Sequence, residues 1–146
     1  MSTWNDFTSD ERIGRWTNLR SEITSLEQDQ QLTAIAEFFS SVPISSRTID
    51  FYTPETWPTP WETLYHNELC QSSVSLIMYH TLMLLNKDCD VEIILINDGT
   101  DRYLLPIINN QYILNYEFGQ ISNWQDLKAR IDIITKFNKT NIKQLT

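Results

Sequence analysis

A chain of 146 residues with 41% hydrophobic and 12% aromatic residues is composed like a globular protein and suits one domain around one core. Its net charge of -8 argues against general nucleic-acid affinity, which needs a basic surface, although the C-terminal lysines leave a local basic patch open. No apolar run reaches the roughly 18 residues needed to cross a bilayer. MSTWNDFTSDER also lacks the basic start and apolar core of a secretory signal, so the expectation is no membrane partner and a cytoplasmic location, the cell's own or an infected host's.

The chain opens with a helix. Thr8 and Glu11 form a capping-box pair, and Ile13, Trp16, Leu19, Ile23 and Leu26 then recur every three or four residues. The other face of this helix reads as charged and solvated. Leu32, Ile35, Ala36, Phe38 and Phe39 either continue it or form a second helix, ending before Pro43. Residues 1–42 are thus an N-terminal helical part. From Ile44 to Pro60 the three prolines Pro54, Pro58 and Pro60 predict extended chain.

Thr59-Pro60-Trp61-Glu62 is a helix start, with Thr at the N-cap, Pro at the first position and Glu at the third, and it predicts a short helix over 60–65. Asn67 is placed to cap the next helix, over 69–85. There Val74, Ile77, Met78, Leu82 and Leu85 make an apolar stripe, and Leu76, Met83 and Leu84 are apolar off it, which predicts burial on most sides. Cys70 and Cys89 bracket this helix. At about 1.5 Å rise per residue they stand too far apart for a disulfide, and with two histidines they make no zinc pattern.

Val91 to Ile96 reads as a strand and Asn97-Asp98-Gly99 as a turn. Tyr103 to Ile108, Asn109-Asn110 and Tyr112 to Tyr116 read as a hairpin, with Pro106 weakening a strand or marking an edge. Ser122 and Gln125 suggest a capping box ahead of Trp124, Leu127, Ile131 and Ile134, predicting an amphipathic helix over 122–136. Residues 137–146 read as a fraying polar tail. The expected class is α+β: a central buried helix on a small antiparallel sheet of three or more strands, flanked by N-terminal and C-terminal amphipathic helices, in a single domain spanning 1–146.

Cys70 is the first chemical candidate, because the start of a helix favours a thiolate; the plain alternative is a small, inert, buried side chain. The order of elements adds to it. Thr59-Pro60-Trp61-Glu62-Thr63-Leu64, then a helix headed by Cys70, then Ile113-Leu114-Asn115, resembles the core of transglutaminase-like and papain-like cysteine enzymes, most of all the bacterial transglutaminase-like cysteine proteinases, over residues 57–118. The resemblance implies a Cys, His and Asp or Asn triad, with Cys70 and Asn115 in the first and third places. The glycine and acidic residues expected around the cysteine are absent from Asn67-Glu68-Leu69-Cys70-Gln71-Ser72. The stretch Thr100-Asp101-Arg102-Tyr103-Leu104 holds no histidine. His80 is ten residues along the same helix, about 15 Å away. His66 is in reach by chain length, and its plain reading is a surface histidine.

Asn97-Asp98-Gly99-Thr100-Asp101 has oxygens spaced somewhat like a calcium loop but lacks the closing glutamate, so a hairpin turn is the simpler reading; no metal and no cofactor is expected. Most of Trp4, Trp16, Trp57, Trp61, Tyr65 and Trp124 read as core or core-edge anchors, and Trp57, Trp61 and Tyr65, beside prolines, are the candidates for a protein-binding surface. With no imidazole at the strand start, the sequence favours a non-catalytic protein-binding or assembly protein. Its wording, in FYTPETWPTPWETL and NDGTDRYLLPIINNQYILNYEFG, resembles small conserved proteins of contractile-tailed phages, which implies baseplate or tail assembly, phage structural proteins as partners and a location in host cytoplasm or virion. The alternative is a small cysteine hydrolase or transferase using Cys70, with Asn115 and, as candidate base, His66.

Overall fold

The computed structural model describes residues 3–46 and 48–145. Helices α1 (Ser9–Ile23), α2 (Gln28–Phe39), α3 (Pro60–His66) and α4 (Gln71–Leu85) precede a five-stranded antiparallel sheet. Its strands are β1 (Val91–Asn97), β2 (Arg102–Ile108), β3 (Tyr112–Leu114), β4 (Ile121–Asn123) and β5 (Asp132–Phe137), in the order β4-β3-β2-β1-β5. A four-residue helix, α5 (Trp124–Leu127), lies between β4 and β5. The architecture is α+β with a central buried helix on an antiparallel sheet. No helix among the described residues is long and apolar enough to cross a membrane.

The capping boxes at Thr8/Glu11 and Thr59/Glu62 both form, and each threonine hydroxyl accepts the N–H of its glutamate. Eleven consecutive residues of α4, Ser72 to Leu82, are buried, as a helix enclosed by sheet on one side and helices on the others must be. The sheet's inner face meets α4 through Val91, Ile93, Leu95, Leu104 and Ile108. Its outer face carries Ile94, Ile96, Leu105 and Ile107 into a second, smaller core with Leu127 and Ile131. This period-2 alternation settles which face each β2 residue shares.

Four local expectations are corrected. Asn67 does not cap α4; it closes α3 in the left-handed conformation (φ 54°), and its side chain accepts the Trp4 indole N–H at 2.8 Å. Cys70 itself is the N-cap of α4. The helix expected over 122–136 stops at Leu127. Residues 132–137 instead form edge strand β5, paired with β1, because the chain must cross from β4 at one edge of the sheet to the free edge of β1. Trp124, Leu127 and Ile131 had helical spacing because they cover the outer sheet face along that crossing. The short helix is capped by Asn123, whose side chain accepts the Gln125 N–H, and not by Ser122. Finally, Phe137 ends β5 and Ile142 is buried in the main core, two anchors that the reading of a fraying tail left out.

Pro106 sits inside β2 without penalty because β3 pairs only with Ile107 and Ile108. At Pro106 the strand has an open side. The β2–β3 turn is made by Asn109 and Asn110, both left-handed (φ 56° and 53°), a conformation asparagine tolerates better than most residues.

Candidate active site

Cys70 has extended backbone (φ -113°, ψ 171°) and heads α4, where its Sγ accepts the Ser73 N–H at 3.4 Å. The reciprocal bond runs from the Cys70 N–H to Ser73 Oγ at 2.8 Å. A thiol thus occupies the place a serine or threonine usually takes at an N-cap. There the helix's unpaired N–H groups and dipole favour negative charge. Cys70 is 8% exposed. Cys89 is half-buried, accepts from Gln28 Nε2, and has its thiol pushed up by burial; both cysteines carry free thiols.

Asn115 comes to the same helix end. It is buried and left-handed (φ 70°), and its Nδ2 donates to the Gln71 carbonyl at 2.8 Å and to Ser75 Oγ at 2.9 Å. Gln71 Nε2 returns a bond to the Asn115 carbonyl. The side chain therefore braces the end of β3 on the first turn of α4, with both amide protons committed there.

The start of β2 lies across the same turn, because the Leu104 N–H donates to Ser72 Oγ at 3.1 Å. Arg102 is two residues earlier and, by alternation, on the same inner face as Leu104. It stands at a strand start that holds no histidine. Both histidines of the chain lie elsewhere. His66 is exposed in the last turn of α3 with its ring against Tyr65. His80 is buried in α4 against Tyr79, and desolvation lowers its pKa to about 4. Of the three triad candidates, Cys70 and Asn115 meet at one helix turn, while His66 sits in the last turn of α3 against Tyr65.

The turn before β2 is held by its own side-chain oxygens. Asp98 Oδ1 accepts the N–H groups of Thr100 and Asp101, its Oδ2 accepts the Tyr103 hydroxyl, and Asn97 Oδ1 accepts the Gly99 N–H. These oxygens are spent on the turn itself. Among the described residues no group of three or more His, Cys, Asp or Glu is placed to hold a metal.

The aromatic candidates have partial duties in the core. Trp57 is half-buried, meets Phe137 edge-on at 4.9 Å and donates to the Asp50 carbonyl at 2.8 Å. Trp61 meets Trp16 edge-on at 5.2 Å and remains 36% exposed. Tyr65 has the most open ring of the three. Two residues that sequence reasoning missed are Tyr52, whose hydroxyl accepts from Arg102 Nη1 at 3.2 Å, and Ser72. Neither belongs to a motif; only register shows them.

No family model matches the chain, and no curated protein matches it. Solved structures do. LapG of Legionella pneumophila in its calcium-bound form superposes with a TM-score of 0.75 at 17% identity, covering 91% of this chain and 77% of that one. A second LapG structure and an EGTA-treated one each give 0.74 at 17% identity, over 93% of this chain and 80% and 78% of theirs. The chain thus shares the fold of these LapG structures. This corrects the expectation of a non-catalytic phage assembly protein, since the neighbours are LapG and nothing points to a phage. The physical reason is that the quoted wording is what local structure demands. YLLPIINNQYIL is a hairpin turned by two left-handed asparagines, and TPWE is a capped helix start.

Proposed function

We propose that the chain is a cysteine hydrolase or transferase that acts on an acyl carbon through Cys70. One observation carries the reading: a cysteine caps the N-terminus of the central helix of a transglutaminase-like fold, the position at which helix charge and free N–H groups serve a thiolate nucleophile. The thiolate adds to the carbonyl carbon and forms a C–S bond. The leaving group departs with its electron pair and takes a proton from water. Water then cleaves the thioester, or an acceptor takes the acyl group. Helix geometry leaves the N–H groups of Gln71 and Ser72 without intrahelical acceptors, so they are the donors available to a developing oxyanion. Arg102 cannot act as a base, since a guanidinium keeps its proton. Asn115 acts by fixing the turn that presents Cys70.

The test compares two reagents on the same thiol. Acetylation by p-nitrophenyl acetate and alkylation by iodoacetamide are followed by peptide mass spectrometry in the native and the urea-unfolded chain. Occlusion slows both reactions alike, whereas an acyl-transfer site speeds only the first. The expected result is an acylation-to-alkylation ratio at Cys70 at least ten-fold higher in the native protein, with Cys89 unchanged and the adduct abolished by Cys70→Ala. Equal ratios in the two states would remove the reading.

A further inference from the structure

We propose that Arg102 and Tyr52 form the selective rim of the Cys70 site and that they bind a carboxylate, so that the acyl substrates preferred are anionic. This rests on reading Cys70 as the nucleophile.

The placement follows from register. Leu104 is tied to Ser72, two residues inside α4 from Cys70. Stepping back two residues moves about 3 Å along a helix but about 6.6 Å along a strand. β2 begins beside the head of α4, and its far end meets the far end: the Asn109 N–H, just past β2, donates to the Asp90 carbonyl, beyond the C-terminus of α4. Strand and helix therefore run in the same direction, and Arg102 is carried past the first helical turn and beyond the head of α4, on the inner face of the sheet.

The chemistry of the pair is that of an anion fork. Arg102 is exposed, and among the described residues its side chain makes one hydrogen bond, from Nη1 to Tyr52 Oη. Most of its five N–H groups remain for a ligand. Tyr52 is 59% exposed and uses an oxygen lone pair on Arg102, so its own O–H proton is free to join the same anion. Asp101 adjoins Arg102 in the chain and is exposed, whereas two other nearby carboxylates are engaged elsewhere. Asp98 is bound by its turn and by Tyr103, on the outer face of β2. Asp50 accepts from the Tyr52 N–H and the Thr53 hydroxyl, the turn that presents Tyr52. In a chain of net charge -8, a guanidinium bound only to a tyrosine hydroxyl near the head of the helix that Cys70 caps is a local reversal of sign. It selects by charge because long-range repulsion elsewhere on the surface does the opposite.

Alkylation with reagents of one shape and different charge reads this without requiring catalysis. Iodoacetate and iodoacetamide are applied separately to the native protein, and rates at Cys70 and Cys89 are measured by mass spectrometry. Cys89, flanked by Asp88 and Asp90, is the internal control. The iodoacetate-to-iodoacetamide ratio is expected to be at least ten-fold higher at Cys70 than at Cys89. It should fall five-fold or more in Arg102→Gln and two- to three-fold in Tyr52→Phe, with the Cys89 ratio constant. Added 0.5 M NaCl should lower the Cys70 ratio in the unaltered protein, a readout that needs no variant. A ratio unchanged in Arg102→Gln, or both rates falling together at constant ratio, overturns the proposal. If the ratio fails while acyl transfer succeeds, the enzyme reading stands without a carboxylate preference. If acyl transfer fails while the ratio holds, the enzyme reading falls and the anion-selecting rim remains.

Discussion

At the scale of single residues, the most informative side chain is a charge that no periodicity marks as internal. Arg12 lies in the first turns of α1, next to Glu11 and two residues from Asp10, and reads as part of a solvated face. It is buried. Its guanidinium donates to the carbonyls of Leu64 (2.7 Å), Tyr65 (2.9 Å) and Phe7 (2.6 Å) and to Ser9 Oγ (3.2 Å). Two of those carbonyls belong to the C-terminal turn of α3, which a seven-residue helix cannot satisfy internally. Arg12 therefore clamps α1 onto α3, and α3 in turn sets where the chain enters the Cys70 turn. Arg12→Met keeps the stem but removes the donor to the Leu64 and Phe7 carbonyls, Tyr65 keeping its bond from Ser9 Oγ, so it should cost about 2–4 kcal/mol. Arg15→Met removes an exposed guanidinium that stacks on Phe7 at 4.0 Å and attracts the Glu11 carboxylate across solvent, and should cost less than about 1 kcal/mol. Urea titration of the two variants checks the contrast. Equal losses would show that the clamp contributes nothing.

At the scale of elements, α4 holds both the core and the site. Leu82 is 1% exposed and packs in the main core, far along the helix from Cys70. Leu82→Ala should destabilise by about 2–5 kcal/mol, read from the urea midpoint at unchanged slope. A loss under about 1 kcal/mol would mean that the core is elsewhere. Helix α4 was legible because its apolar residues exceed one stripe, and α1 and α3 because their caps are local chemistry: a threonine oxygen on an N–H three residues on. The C-terminal helix was misread because Trp124, Leu127, Ile131 and Ile134 combine two periods. The first three line a crossing over the outer sheet face, and Ile134 lies on the exposed side of a strand. No local signal separates these, since the need for an edge partner to β1 arises only once the sheet exists. The site divided in the same way. Cys70 and Asn115 stood out by residue type and order, whereas Ser72, Arg102 and Tyr52 acquire roles only through the register of β2 on α4.

At the scale of the whole molecule, acid should act in two stages, because two kinds of group titrate differently on folding. His80 is buried in α4, and desolvation lowers its folded pKa to about 4, against the ordinary 6.5 it regains on unfolding. Between those values the unfolded chain binds a proton that the folded chain resists. Stability from His80 is therefore complete above about pH 6.5, declines as pH falls, and declines no further below about pH 4. The difference corresponds to about 3 kcal/mol. The carboxylates Asp6, Glu11, Asp50 and Asp98 also lose stability in acid, but because folding favours their charged form. Backbone hydrogen bonds from Thr3, Thr8, Thr100 and Asp101, with the Thr53 hydroxyl leading at Asp50, hold these carboxyls below their usual values, so their contribution persists above the ordinary carboxylate range and is lost as pH drops through and below it. Unfolding free energies measured in urea from pH 8 to 3 should thus show a first decline across pH 6.5 to 4 and a second beneath it. His80→Leu removes the titrating group without adding a charge, and it should flatten the first decline while leaving the second. A variant that keeps the full slope between pH 6.5 and 4 would place the acid-sensitive group outside the central helix.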